Sequence, residues 1–168
     1  MVVAGFDRYD LTNTPLTDCP TFTIWFAGCT HGCPGCHNMQ LWDPKYFQQF
    51  TVEEVAGLIV EETEKTNIRI VTLLGGEPLQ QPLDELYRLC TMLHDAGKEI
   101  WIYTGYDFDD AIQIIYPVLP LISMMKCGKY IRELSAGEGA FPATTNQKLF
   151  KNIGGDMWQE VIINQGGR

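Results

Sequence analysis

Apolar positions change period along this chain in a repeating order. Thr21-Phe22-Thr23-Ile24-Trp25-Phe26 is a β-branched and aromatic run that predicts a short strand ending at Ala27-Gly28. Thr51-Val52-Glu53-Glu54 has the Thr-x-x-Glu form of a capping box, and Val52, Val55, Leu58 and Ile59 follow at helical spacing, so a helix is expected to about Lys65. Ile68 to Leu74 is apolar except for Arg69 and Thr72, as in a parallel strand covered on both faces, and it stops at Gly75-Gly76. Leu83, Leu86, Tyr87, Leu89, Cys90 and Leu93 form the apolar face of a second helix, with Gly97 as its stop. Glu99 to Thr104 reads as a strand, Asp107 to Ile115 as a helix, and Leu119 to Met125 as a strand that stops at Cys127-Gly128-Lys129. Glu133 to Asn146 is a Gly, Ala, Pro and Thr loop, and Trp158 to Ile163 is the last expected strand.

Strands that alternate with helices imply β-α-β units and a parallel sheet. Five units or fewer are too few for a closed eight-stranded barrel, which takes about 250 residues. The expected fold is therefore α/β, a single domain over residues 1–168, either an open, partial barrel or a small doubly wound sheet. Both architectures bind ligands at the carboxyl ends of their strands. Chemistry should then sit at Cys29 to Asn38, Gly75 to Pro78, Thr104 to Tyr106 and Cys127 to Lys129.

Composition narrows the function. The chain has 168 residues, 45% hydrophobic and 11% aromatic, enough for one packed core. Its net charge of −9 and pI near 4.7, with no Lys/Arg cluster, argue against nucleic acid as a partner, since phosphate binding needs a basic stripe. Met1 to Asp10 lacks the basic-then-apolar form of a signal peptide. Ala111 to Met125 is interrupted by two prolines and falls short of the roughly 20 residues that span a bilayer. A cytoplasmic location without membrane contact is expected, where thiols stay reduced and clustered cysteines mean metal or redox chemistry.

Three of the six cysteines do cluster. Cys29-Thr30-His31-Gly32-Cys33-Pro34-Gly35-Cys36-His37-Asn38 has the spacing Cys-x3-Cys-x2-Cys, and Gly28, Gly32, Pro34 and Gly35 permit the tight backbone that would gather three sulfurs. Two metals fit. A structural zinc would be closed by His31 or His37 as a Cys3His set. A 4Fe-4S cluster would be held by Cys29, Cys33 and Cys36 with one iron left open. Cys19, Cys90 and Cys127 stand apart, and Cys90 falls on the apolar helix face.

Cys-x3-Cys-x2-Cys after one strand and Gly75-Gly76-Glu77-Pro78 after the next resemble the radical S-adenosylmethionine (SAM) superfamily. Within it, Cys33-Pro34-Gly35-Cys36 with Asn38, then Ile100 to Tyr106, Gly128-Lys129-Tyr130 and Asn146-Gln147, are similar to the activating proteins of anaerobic (class III) ribonucleotide reductase. The ordered matches run from about Asp10 to Gln147.

The resemblance implies a partial (open) β/α barrel with a mostly parallel sheet, one 4Fe-4S cluster on Cys29, Cys33 and Cys36, and bound SAM. Gly75 and Gly76 would let backbone approach the methionine part of SAM, and Glu77 would accept from its ammonium. Taken alone, the same residues read as a plain turn. Gly35, Cys36 and His37 would lie along the adenine, although His37 also suits a solvated loop. Thr104 and Lys129 would contact SAM, Lys129 as a positive charge for the carboxylate or else as an ordinary surface lysine. No separate catalytic acid or base is implied.

The implied chemistry is reductive cleavage of SAM to a 5′-deoxyadenosyl radical, which takes a hydrogen from a glycine of the partner. That partner is a glycyl-radical enzyme, here the anaerobic ribonucleotide reductase large subunit, and the electron comes from flavodoxin or a similar low-potential donor. The alternatives are an activase of another glycyl-radical enzyme, a small-molecule radical SAM enzyme resembling carboxy-deazaguanine synthases, and a zinc-stabilised module. Three departures from the pattern stand out. Asn13-Thr14-Pro15-Leu16-Thr17-Asp18 replaces Asn-Gly-Pro-Gly-x-Arg, Cys127 replaces an Asp, and Phe141-Pro142-Ala143-Thr144 replaces Trp-Arg-Gly-Ser.

Overall fold

The capping box at Thr51 closes in both directions. The Thr51 hydroxyl accepts from the Glu54 amide at 3.2 Å and the Glu54 carboxylate accepts from the Thr51 amide at 2.8 Å, satisfying two donors that a helix start leaves orphaned. Helix α1 (Val52–Thr66) begins there and ends where Asn67 turns left-handed at φ 55°. The computed structural model describes residues 1–15 and 19–162. Helix α2 (Leu83–Asp95) buries the expected Leu86, Leu89, Cys90 and Leu93 but leaves Leu83 exposed, and α3 (Phe108–Ile114) lies within its expected span.

The strands are β1 (Val2–Asp10), β2 (Thr21–Phe26), β3 (Gln48–Gln49), β4 (Ile70–Gly75), β5 (Glu99–Tyr103), β6 (Ile122–Cys127), β7 (Lys148–Gly154) and β8 (Met157–Val161). They form one sheet in the order β3-β1-β2-β4-β5-β6-β7-β8. β2, β4, β5 and β6 pair in parallel. β1 and β7 run against them, while β3 and β8, antiparallel to those two, realign with the central four, so six of the eight strands point one way. The architecture is mixed α/β on a single, mostly parallel sheet.

Alternation along the strands divides the side chains between two faces. Phe22, Ile24, Phe26, Val71, Leu73, Ile100, Ile102 and Met125 point one way and bury against Val55 and Ile59 of α1, Leu86, Leu89 and Leu93 of α2, and Ala111 of α3. Each such large side chain contributes about 1.5–3 kcal/mol on burial. Ile70, Leu74, Trp101, Tyr103, Met124 and Leu149 form a smaller cluster on the opposite face, joined by Trp25, Phe141 and Val161 but, among the described residues, by no helix. Helices on one face only remove the doubly wound alternative, which covers both.

Three expectations are corrected. The segment expected as a strand from Leu119 begins as one only at Ile122, because Pro117 and Pro120 hold Tyr116–Leu121 in a 3-10 helix where missing amide donors cost nothing to a ladder. β1 and β7 were not anticipated, since Gly5, Asp7 and Arg8 interrupt one and Lys151 and Asn152 the other. The last strand starts one residue early, at Met157, and ends at Val161, with Ile163 outside the described residues, as are Leu16, Thr17 and Asp18. Among the described residues, no helix is long and apolar enough to cross a membrane.

Candidate functional site

Because β2, β4, β5 and β6 are parallel, their carboxyl ends bring the four flagged segments to one edge of the sheet. The cysteine loop leaves β2 and is pinned at its base, where the Gly28 amide donates to the Leu41 carbonyl at 2.7 Å and the Cys29 amide to Trp42 at 3.2 Å. The Thr30 amide donates to Gln80 Oε1 at 2.8 Å. Cys33 and Cys36 are drawn together by a turn in which the Cys36 amide donates to the Cys33 carbonyl at 3.1 Å, and the Asn38 amide points at Cys36 Sγ at 3.4 Å.

Gly75 and Gly76 have a reason of their own in the protein's packing. Gly75 sits at φ 117°, and a Cβ there would lie 2.5 Å from the Phe26 amide nitrogen; one on Gly76 would lie 2.5 Å from the Gly28 carbonyl oxygen. The close approach permits two ladder-like bonds, Gly76 amide to Phe26 carbonyl and Glu77 amide to Gly28 carbonyl, each 2.8 Å. The glycine pair thus sets the end of β4 directly against the root of the cysteine loop.

Glu77 is 1% exposed, and its carboxylate takes four donors. Oε1 accepts from the Leu79 amide at 3.0 Å and Thr104 Oγ1 at 2.7 Å. Oε2 accepts from the Gly105 amide at 2.7 Å and pairs with His31 Nε2 at 2.9 Å. Four donors fill the acceptor sites of an ionised carboxylate, which is what makes its burial tolerable. The carboxylate therefore joins the loops after β2, β4 and β5. The His31 ring also meets Tyr106 edge-on, with centroids 4.7 Å apart.

An open pocket with a cavity volume of about 150 Å³ lies above this junction. Cys29, Cys33, Cys36, Gly75, Gly76, Glu77 and Thr104 all line it, so seven of the expected site residues meet at one place. Gly35, His37 and Lys129 are not among its lining residues. Gly35, at φ 74°, lies under the Arg132 guanidinium, which occupies the space a Cβ would need. His37 is exposed with its ring 5.5 Å from that of Tyr130, and Lys129 is exposed with its carbonyl accepting from Asn146 Nδ2 at 2.9 Å. The Asn146-Gln147 pair acts as a brace, since Gln147 Nε2 donates to the Gly128 carbonyl at 3.0 Å.

The lining adds residues outside the four flagged segments, among them Trp25, Tyr103 and Lys126. Lys126 Nζ stands 4.8 Å from the Tyr103 ring centroid and 5.5 Å from that of Phe141, and burial brings its ammonium down to about 8. The period of β6 was the available signal, because Lys126 shares a face with Met124 and not with Met125. Burial, with the charge of Glu77 and the neighbouring thiols, raises the Cys29 thiol above its ordinary value, so cluster assembly has to displace its proton.

Among the described residues, no three His, Cys, Asp or Glu side chains converge as the ligands of one ion do. A 4Fe-4S cluster asks something else of three thiolates, which bind three different irons across an open space. Residues 19–150 match the family described as "4Fe-4S single cluster domain". The chain is 32% identical over 143 residues to the anaerobic ribonucleoside-triphosphate reductase-activating protein of Salmonella typhimurium, covering 82% of this chain and 90% of that one. The protein of the same name from Vibrio cholerae is 34% identical over 152 residues, covering 84% and 92%, and that of Enterobacteria phage T4 is 32% identical over 139 residues, covering 81% and 86%.

The chain belongs to this family of activating proteins. The assignment agrees with the resemblance carried by the cysteine loop, Gly-Gly-Glu and the later segments, and its domain is one with a single 4Fe-4S cluster. Among solved structures, QueE from Escherichia coli is similar, with a TM-score of 0.52 and 20% identity over 62% of this chain and 52% of that one. The likeness spans about half of QueE and concerns the fold alone.

Proposed function

We propose that the protein is a radical SAM activating enzyme that installs a glycyl radical on the large subunit of anaerobic ribonucleotide reductase, the enzyme its relatives are named for activating. The observation that carries this reading is the meeting of three cysteines, without a fourth in their loop, and the Gly-Gly-Glu turn around one open pocket. Cys29, Cys33 and Cys36 hold the cluster, and the pocket beside them takes SAM. A reduced cluster held there would supply the electron for cleavage of SAM to methionine and a 5′-deoxyadenosyl radical, which would take hydrogen from the partner's glycine.

The chain's own part is positional. Glu77 fixes His31, Thr104 and Gly105 relative to the cysteine loop, so the cluster-bearing wall and the β5 wall keep one spacing. Gly75 and Gly76 form the wall between them, while Gly35 and His37 are assigned to the adenine end by the resemblance. We read the linear strand order with helices on one face as a partial barrel and a single domain whose uncovered face leaves the pocket open to an inserted protein loop. A low-potential donor such as flavodoxin and a cytoplasmic setting complete the reading, with neither nucleic acid nor membrane as a partner.

The test is to mix anaerobically reconstituted protein with the reductase of the same organism, SAM and a reductant, and to record electron paramagnetic resonance. A glycyl-radical doublet on the reductase, followed by ribonucleotide reduction, is the expected result. SAM cleavage without a radical on the reductase would discard this partner.

A further inference from the structure

Lys126 is a cation in an unusual position. β6 alternates so that Met125 and Cys127 enter the helix-covered core, while Met124 and Lys126 face the other way. In register, Trp25 pairs with Leu74 and Tyr103 with Lys126, which makes one row across the pocket floor, apolar except for a single ammonium. Tyr103 is fixed by its hydroxyl, which donates to the Asn13 carbonyl at 2.8 Å. The rings of Tyr103 and Phe141 hold the ammonium by cation–π attraction but offer no carboxylate or carbonyl acceptor to its three N–H donors.

Among the described residues, Lys126 has neither an ion-pair nor a side-chain hydrogen-bond partner, whereas Lys65 and Lys148 pair with carboxylates on the surface. It is half-buried in the pocket wall, with its ammonium partly withdrawn from water. It is also the one Lys or Arg among the described residues that line the pocket. The carboxylate in that pocket, Glu77, already accepts from four other groups. Lys129, expected to supply the positive charge, is exposed and outside the lining.

We propose that Lys126, cradled by Tyr103 and Phe141, is the residue that binds the carboxylate of SAM's methionine end, in place of Lys129. The inference rests on the SAM reading above. A floor of three apolar or aromatic side chains with one ammonium suits a ligand that presents methylene groups beside a carboxylate. Phe141 supplies part of the cradle.

The experiment is equilibrium binding of SAM and of decarboxylated SAM, which lacks only the carboxylate, to reconstituted wild-type, Lys126→Met, Lys126→Gln and Lys129→Met proteins, with iron content and cluster midpoint potential measured on each. Lys126→Met is expected to weaken SAM by about 10- to 100-fold, as for loss of a charged hydrogen-bonded pair, and to leave decarboxylated SAM, iron and potential unchanged. Lys126→Gln must give the same split, which guards against a folding defect peculiar to Met. Lys129→Met should change SAM binding less than about 3-fold. SAM binding unchanged in the Lys126 variants, equal loss of both ligands with iron retained, or a shifted potential with binding intact would overturn the proposal. Wild-type protein that binds neither ligand would instead overturn the SAM reading on which it rests.

Discussion

The two faces of the sheet use the same strands for opposite purposes. Under the helices, the side chains are aliphatic and aromatic, and a cysteine there is inert: Cys90 is fully buried, and burial pushes its thiol up to about 12. On the uncovered face, alternate residues of the same strands are Thr21, Thr23, Thr72, Tyr103 and Lys126, interleaved with Trp25, Leu74 and Trp101. Burial works to raise Asp10 beside them, yet hydrogen bonds from Asn13, Thr23 and Thr12 hold its carboxyl below the usual range. The difference teaches where stability and chemistry are separated in this fold. One face supplies packing free energy, and the other carries polar groups, of which Thr21, Thr23 and Asp10 are joined by hydrogen bonds.

The largest expected effect is on the cluster. Cys29→Ser, Cys33→Ser or Cys36→Ser should each reduce reconstituted iron from about four per chain to near none. Leu89→Ala, under the helices, should cost about 2–5 kcal/mol in urea denaturation while the folded fraction still binds iron. Iron loss in Leu89→Ala at full folding would break the separation of the faces.

Gly76→Ala should cost about 3 kcal/mol or more, because its Cβ would meet the Gly28 carbonyl, and it should disturb the cluster as well as SAM binding. Thermal unfolding and iron content read both. An effect on SAM alone would return the glycine to a purely ligand-facing role. Glu77→Gln should destabilise by about 2–3 kcal/mol, since an amide nitrogen would face donors, and should loosen His31 from the β5 end.

The smallest effect has the opposite sign. Lys126 in the folded protein gives up its proton near pH 8, below its ordinary value of 10.5, so the unfolded chain binds more protons between those values and stability rises with pH across that window. Lys126→Met should therefore stabilise the ligand-free protein by about 1–2 kcal/mol at neutral pH, with the gain fading above about pH 10. Denaturation midpoints at pH 7 and pH 10.5 measure it.

The helix-covered half was legible because apolar periodicity reports burial against helices. α1, α2, β4 and β5 come from runs such as Val52-Val55-Ile59 and Ile100-Trp101-Ile102, where local pattern and tertiary contact agree. β1 and β7 were not legible, since each is a flanking antiparallel strand whose polar positions leave no clean alternation. In the site, the cysteine loop and Gly75-Gly76-Glu77 were legible as motifs. Their physical roles were not, because the contact of Gly76 with Gly28 and the four bonds of Glu77 join residues far apart in sequence. Lys126 was hidden for a different reason: within Ile122-Ser123-Met124-Met125-Lys126 only the parity of the strand shows which side chain reaches the pocket.

The central claim is that SAM binds at the open iron of a cluster held by Cys29, Cys33 and Cys36. Low-temperature electron paramagnetic resonance of the reduced, reconstituted protein, recorded with and without SAM under conditions that prevent turnover, tests it most directly. The account predicts a 4Fe-4S signal whose g-values change on adding SAM and return when SAM is removed. A 4Fe-4S signal identical in the two samples, at SAM concentrations shown by dialysis to saturate the protein, would contradict it.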